Sequence, residues 1–323
     1  MAESRGTWTD LVGGVGLEIA EVFDQGQEQY IPGISNLLIK TNGEGAQRNF
    51  TGKTGAGRLK QFDDGDNIKE TRRYKTYTTQ VEYTNYAEYI EVTKNQIQDR
   101  DFSSELDEMK DLSISANFSQ DEAGMQLFNG GYATTTAVNG YTMTWYGDGV
   151  PQFSTKHPTP VPGQSVQSNA SSTGIKFGDT NLETARVALT LQKTDDNIPT
   201  SLLGKMTIVL PFHLDKTGQV ITGSTLTPED ANNSINIYKG GGTDMITSPF
   251  LDSTYGGSDT AWSIIVPQRA KLYHEIRQTA SLEQETNIKN KMVTFTVDAR
   301  WANYSKDWRR SWGSKGDLAS YSS

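Results

Sequence analysis

Three histidines, His157, His213 and His274, are the chain's only imidazoles, and there is no cysteine. No two histidines stand at the i, i+4 spacing that places two metal ligands on one helical face. Without cysteine there is no disulfide, no thiol nucleophile and no thiolate metal site. Gly52-Lys53-Thr54 matches the end of a phosphate-binding loop. That loop also needs a glycine five positions before Gly52, where Gln47 stands, and an apolar strand leading into it. Asp63, Asp64 and Asp66 begin like a calcium loop, but the position of its bidentate glutamate holds Tyr74. A solvated turn is the better reading of both segments. Asp195-Asp196 is the acid pair that could divide general acid and base roles, yet two adjacent acids in such a loop read first as a turn. Trp301, Trp308, Arg309 and Arg310 could stack on nucleic acid. In an acidic chain, tryptophan anchors and arginine ion pairs at a protein interface fit better. No Gly-x-Ser-x-Gly elbow is present. The sequence therefore predicts no catalytic residue, no cofactor and no metal.

The elements that would position these residues are mixed. The longest is a helix predicted within Asp99–Phe128, over 103–128. Ser103 or Ser104 is placed to cap it, and Glu105, Asp107 and Glu108 fall in its first turn. Leu106, Met109, Leu112, Ala116, Ala123 and Leu127 share one face at 100° per residue, and Ile114, Phe118 and Met125 form a narrower stripe opposite. Two stripes predict packing on the chain's own domain and, on the other side, on an arm or loop, including one from a neighbouring subunit. Before this helix, glycines at 13, 14 and 16 restrict the first segment to a short helix at Leu17–Phe23. Residues 73–93 alternate as a half-buried strand, with the parity changing near Tyr86 to Val92. With the Gly-rich loop over 49–70 they read as a long two-stranded arm, which needs a surface to lie on.

Beyond the helix, 129–149 is turn-rich and 159–178 reads as an exposed loop. A second helix is predicted from Asp179 to Leu191, with a Thr180–Glu183 capping box. Strands are predicted at 205–211, 235–238, 260–266 and 291–301, a helical turn at 212–221, and glycine turns at 239–242 and 255–257. Residues 179 to about 285 form a compact unit in this reading.

Composition limits the function. At 323 residues and a net charge of −9, the chain lacks the excess of Lys and Arg that phosphate neutralisation requires. Hydrophobic residues make up only 34%, with 31 glycines. A patterned chain with so little apolar content predicts either much polar loop at its surface or an extended fold that completes its burial against copies of itself. The start, Met1-Ala2-Glu3-Ser4-Arg5-Gly6, shows no basic segment followed by an apolar run, and no stretch approaches 18 apolar residues. The expectation is a cytoplasmic protein without a membrane segment.

Several short motifs carry a resemblance. Phe153-Ser154-Thr155-Lys156-His157-Pro158, the Thr180–Leu191 helix, Asp195-Asp196-Asn197-Ile198-Pro199 and the strand ending Val209-Leu210-Pro211 together resemble the major head subunits of tailed phages, including the Mu-like group. Trp262 before an apolar strand and Asp307-Trp308-Arg309 fit the same pattern, which covers most of 50–312. The Gly-rich segment 239–257 and the N-terminal arm match nothing in it. The resemblance implies an α+β chain with the Hong Kong 97-like capsid fold: an N-terminal arm (1–48), an extended β-hairpin loop (49–80), a peripheral domain with the spine helix (81–178), an axial domain (179–288), and a return strand and tail (289–323). It also implies pentamers and hexamers in an icosahedral head around double-stranded DNA, a location in the virion after assembly in the host cytoplasm, a portal, and a separate scaffolding protein. Inter-subunit contact candidates are Ile114, Phe118, Met125, Lys53, Arg58, Trp308 and Arg309. Lys53 and Lys60 lie on the projecting loop, though no residue pattern supports a covalent cross-link. The alternatives are an encapsulin-like nanocompartment shell and a β-rich carbohydrate-active enzyme using Asp195 and Asp196.

Overall fold

The computed structural model describes residues 8–317 except 31–32, 56–57, 60, 66, 69, 71, 100, 201–203, 227–234, 240–241, 268 and 288. The start of the chain, Lys60, Asp66 and Gly240-Gly241 therefore lie outside the described residues.

The first helix is much longer than its glycines suggest. α1 runs Trp8–Gln29. Its buried residues Val12, Val15, Ile19 and Phe23 recur every three or four positions. Each glycine in a helix interior costs about 1 kcal/mol relative to alanine. Packing along one face outweighs that cost, and one glycine is used for it: a Cβ on Gly26 would stand 2.7 Å from the Ser113 Cβ. Asn117 Nδ2 donates to the carbonyls of Gln27 (3.0 Å) and Tyr30 (3.1 Å) and so satisfies the end of α1.

Next come β1 (Ile39–Asn42), β2 (Gln47–Lys53), β3 (Lys75–Glu82) and β4 (Thr84–Thr93). β2 and β3 form an antiparallel hairpin. The break lies earlier than the parity change near Tyr86 to Val92 suggests, at Tyr83, where β3 leaves its partner and β4 begins to pair with another sheet. A short helix, α2 (Lys94–Asp99), leads to α3 (Ser103–Asn129), about 40 Å long at 1.5 Å per residue. The predicted serine cap does not form: the N-cap is Phe102, and Ser104 Oγ donates to Glu105 instead.

The short strands β5 (Ala137–Val138) and β6 (Tyr141–Thr144) follow, then α4 (Asp179–Leu191), β7 (Met206–Pro211), α5 (Asp215–Gly223), β8 (Thr243–Ser248), β9 (Trp262–Ile265), β10 (Leu272–Asn287), β11 (Met292–Ser305) and β12 (Ser311–Ser314). The Thr180–Glu183 capping box is also absent: Gly178 is the N-cap of α4, and Glu183 bonds Arg186 and Tyr238. The strand predicted at 235–238 is not one. Ile235 makes only an isolated bridge to Leu226, and the neighbour that β7 needs is β8, pairing in parallel.

Two sheets organise the chain. The long one has the order β1-β10-β11-β6-β5, with β4 pairing a different part of β11. The smaller has the order β12-β9-β7-β8. This corrects the predicted division at 288. β10 belongs with β11 and β4, not with the compact unit, and the tail strand β12 returns to the small sheet. β1, within the predicted arm, pairs in parallel with β10.

α3 packs across the long sheet and α1. Met109 is buried with Phe23, Val293 and Phe295, and Ala123 lies with Trp301. From Gln120 to Phe128 the helix is buried on most sides. Gly124 permits this, because a Cβ there would lie 2.6 Å from Ile34 Cγ2. Asp121 fixes the same contact, accepting from the Ile34 amide at 2.9 Å and the Tyr30 hydroxyl at 2.7 Å.

His274 joins α3 to the sheet. Its Nδ1 lies 2.7 Å from Asn303 Oδ1 and its Nε2 3.3 Å from Gln120 Oε1. Burial pushes its pKa down to about 4. The unfolded chain takes up that proton near pH 6.5, so stability falls as pH drops from about 6.5 to about 4, by about 3 kcal/mol in full, with no further contribution below. The thermal midpoint of wild type should fall across this window. His274→Asn should flatten the fall, and an unchanged slope in the variant would remove His274 as its source.

Candidate assembly surface

The predicted contact residues fall into three places. Lys53 ends β2, and both Lys53 and Arg58 are exposed on the hairpin side of the molecule. Phe118 is 41% exposed, with its ring 4.8 Å from Phe250 and 5.3 Å from Tyr30. Ile114 is half-buried. Met125 is buried among Ile34, Leu37 and Leu38 of its own chain and offers no surface to a neighbour. The narrow stripe of α3 thus meets the chain's own 30–38 segment rather than forming one continuous external face. Trp308 and Arg309 are likewise buried within the chain and belong to an internal junction.

That junction gathers the short motifs that were scattered in sequence. The His157 ring stacks on Trp308 with centroids 4.2 Å apart and planes 6° apart. Its Nδ1 faces Asp148 Oδ2 at 2.8 Å and its Nε2 faces Asn169 Oδ1 at 3.0 Å. Asn169 Nδ2 in turn donates to the carbonyls of Gln152 (2.7 Å) and Trp308 (3.1 Å). Gln192 Nε2 donates to the Ser311 carbonyl at 2.8 Å, and its Oε1 accepts from the Arg310 amide at 2.6 Å. Arg309 reaches Asp195 at 2.6 Å and Asp307 at 3.1 Å. Burial works against the charge on Asp307, but Arg309 and Lys271 outweigh it and hold the carboxyl below its ordinary range. Asp195 is therefore a structural partner of Arg309, and Asp196 stands beside it on a turn closed by the Thr194 amide on the Ile198 carbonyl. Both acids line one cleft of the molecule.

The hairpin has its own anchor, which the sequence did not reveal. Glu275, on β10, is fully buried. It pairs with Arg48 of β2, accepts from the Tyr83 hydroxyl at 2.8 Å, and accepts from the Tyr304 hydroxyl of β11. Above it, Phe50 stacks on Tyr304 (5.4 Å, 16°) and Tyr304 on Tyr273 (5.2 Å, 6°). The Lys306 ammonium sits 3.6 Å from the Phe50 centroid and 4.1 Å from that of Tyr273, and burial lowers its pKa. Cation and rings so placed attract each other. Between hairpin and body opens a cleft of about 670 Å³, lined by Thr76, Asp195, Lys271, Lys306 and Arg310 among others.

Outward of this anchor the hairpin holds itself together as far as Thr54 and Tyr74, which exchange two hydrogen bonds. From 55 to 73 every described residue is exposed. Leu59 is fully exposed, Ile68 is 79% exposed and Phe62 58%. Three large apolar side chains of this loop thus remain mostly exposed in the single chain.

No protein-family model and no curated protein sequence matches the chain. Solved structures do. The capsid of an empty GTA particle is 11% identical, with 90% of each chain covered and a TM-score of 0.52. The capsid of bacteriophage JBD30 is 13% identical, covering 69% of this chain and 92% of that one, with a TM-score of 0.52. The capsid of Ralstonia phage GP4 is 13% identical, covering 88% and 87%, with a TM-score of 0.51. The chain has the fold of tailed-phage major capsid proteins. Its likeness to the Mu-like group rests on the short motifs alone.

Replacing Glu275 by alanine strands two buried tyrosine hydroxyls, while Arg48, partly exposed, can turn to water. Each stranded group costs about 1–3 kcal/mol, so Glu275→Ala should lower unfolding stability by about 2–6 kcal/mol. Denaturant unfolding measures the loss. A change below about 0.5 kcal/mol would mean that the anchor contributes nothing.

Proposed function

We propose that the chain is a structural major capsid protein which self-assembles as pentamers and hexamers into an icosahedral phage head enclosing double-stranded DNA. The observation that carries this reading is the likeness to capsid subunits over nine tenths of both chains. The bare hairpin loop supports it, since Leu59, Phe62 and Ile68 gain burial only from another molecule. In this reading α1 and the segment up to β1 are the arm, and β2, β3 and the loop between them are the extended loop. The long sheet with α3 is the peripheral domain, and the small sheet with α4 and α5 is the axial domain. Lys53, Arg58, Phe118 and Ile114 remain inter-subunit contact candidates.

The shell role requires no catalysis, cofactor or metal. The net charge of −9 makes contact with packaged DNA weak. A separate scaffolding protein and a portal complete the assembly, which takes place in the host cytoplasm and ends in the virion. Among the described residues no helix is long and apolar enough to cross a membrane.

Electron microscopy of the expressed protein, alone and with its scaffold, should show rings or closed shells. A monomer that persists under both conditions would overturn the proposal. Shells lacking DNA but filled with a cargo enzyme would favour the nanocompartment reading. The double variant Leu59→Asp, Ile68→Asp should abolish particles while leaving unfolding stability within about 0.5 kcal/mol of wild type, because both side chains are exposed in the single chain.

A further inference from the structure

β7 and its parallel neighbour β8 end at Pro211 and Ser248, so the turns that follow them leave the same end of the small sheet. The first turn delivers His213, and the second delivers Asp252 and Asp259. The amide of Phe212 donates to Asp252 Oδ1 at 3.0 Å, and the amide of Ser253 donates to Asp259 Oδ1 at 2.9 Å. His213 Nδ1 stands 3.3 Å from Asp252 Oδ1 and 3.6 Å from Asp259 Oδ1. One ligand atom from each of the three residues lies within 4.8 Å of the others.

The spacing is the telling feature. An imidazolium donating to a carboxylate closes to about 2.7–2.9 Å, and both separations are longer than that. Two ligand atoms bound to one ion at about 2.0–2.2 Å, at octahedral or tetrahedral angles, stand about 2.8–3.6 Å apart. Both observed separations fall in that interval. The donor set also discriminates between ions. One imidazole nitrogen with two carboxylate oxygens suits a divalent first-row transition metal, whereas calcium and magnesium take all-oxygen sets.

We propose that His213, Asp252 and Asp259 bind one divalent transition-metal ion of the zinc class, with water filling the coordination positions that face solvent. The ion ties the turn after β7 to the turn after β8 and neutralises two carboxylates of an acidic chain. The proposal is independent of the shell reading, since all three ligands come from one chain.

The chain itself makes the test clean. It has no cysteine and three histidines. His157 and His274 are 1% and 0% exposed, with both ring nitrogens engaged, whereas the His213 side chain is 61% exposed. Imidazole-dependent binding in the folded protein therefore reports on His213.

The experiment is calorimetric titration of the metal-free protein with Zn²⁺, paired with the thermal midpoint with and without the ion. One ion per chain and a raised midpoint are expected. His213→Ala should weaken binding by more than the ~10–100-fold that losing an outer-shell partner costs. Asp259→Asn, whose residue lies at the surface, should weaken it as well. The metal-free midpoint of each variant reports whether its fold is intact. Wild-type affinity in His213→Ala, the absence of saturable Zn²⁺ binding, or Ca²⁺ binding as tight as Zn²⁺ would each overturn the proposal.

Discussion

After β11 the chain turns from the long sheet back into the small one through a corner, 306–311, in which no residue is exposed. It contains an arginine, Arg309, that must remain charged away from water. Asp195 and Asp307 supply two carboxylates and Lys193 a carbonyl, so the guanidinium enters the interior already paired. Burying a charge is tolerable only with such compensation. Trp308 then fills the volume beside it against His157, and Arg310 adopts a positive φ of 63° so that β12 can turn back into the small sheet. Remove the pairing and the corner holds an unsatisfied ion instead of a hinge between sheets. The segments around Gln152, Asp195 and Trp308 meet at this corner, Gln152 on Ser311, Asp195 on Arg309 and Trp308 on His157.

A similar constraint governs the hairpin. Hairpins of two strands are marginal in water by themselves. Here β2 and β3 gain their direction at the base, where Glu275 gathers donors from β2, the β3–β4 junction and β11. The anchor fixes where the loop points without burying the loop. Rigid support beneath an unburied apolar tip suits a segment whose partner is another molecule, because less orientational freedom is lost on docking.

Legibility in the sequence followed the chemistry of the buried faces. α3 and α4 were readable because their apolar spacing is helical, and β7 because it is continuously apolar. α1 was read too short because three glycines count against a helix locally, while Val12, Val15, Ile19 and Phe23 supply a tertiary face that a local reading underweights. β10 was missed because it buries polar residues on both of its faces, His274 held by Asn303 and Gln120 and Glu275 held by Arg48, Tyr83 and Tyr304. Ile235 and Ile237 misled in the opposite direction. Both are exposed, and the order of that segment comes from Asn236 donating to the Ile221 and Ser224 carbonyls. Of the candidate contacts, Met125, Trp308 and Arg309 were selected by residue type, and residue type does not distinguish an interface anchor from an internal one.

The same point bears on how such a chain balances its stability. With 34% hydrophobic residues it still builds several buried clusters, one of them joining residues of both sheets, and leaves Leu59, Phe62 and Ile68 outside them. Apolar surface that a single chain leaves exposed contributes only when another molecule covers it, at about 25 cal/mol per Å² removed from water. Anything that binds the folded chain and not the unfolded one raises its stability by mass action. The single chain is held by its internal junctions, the Arg309 corner and the Glu275 anchor. These polar interior contacts satisfy the fold without drawing on Leu59, Phe62 and Ile68.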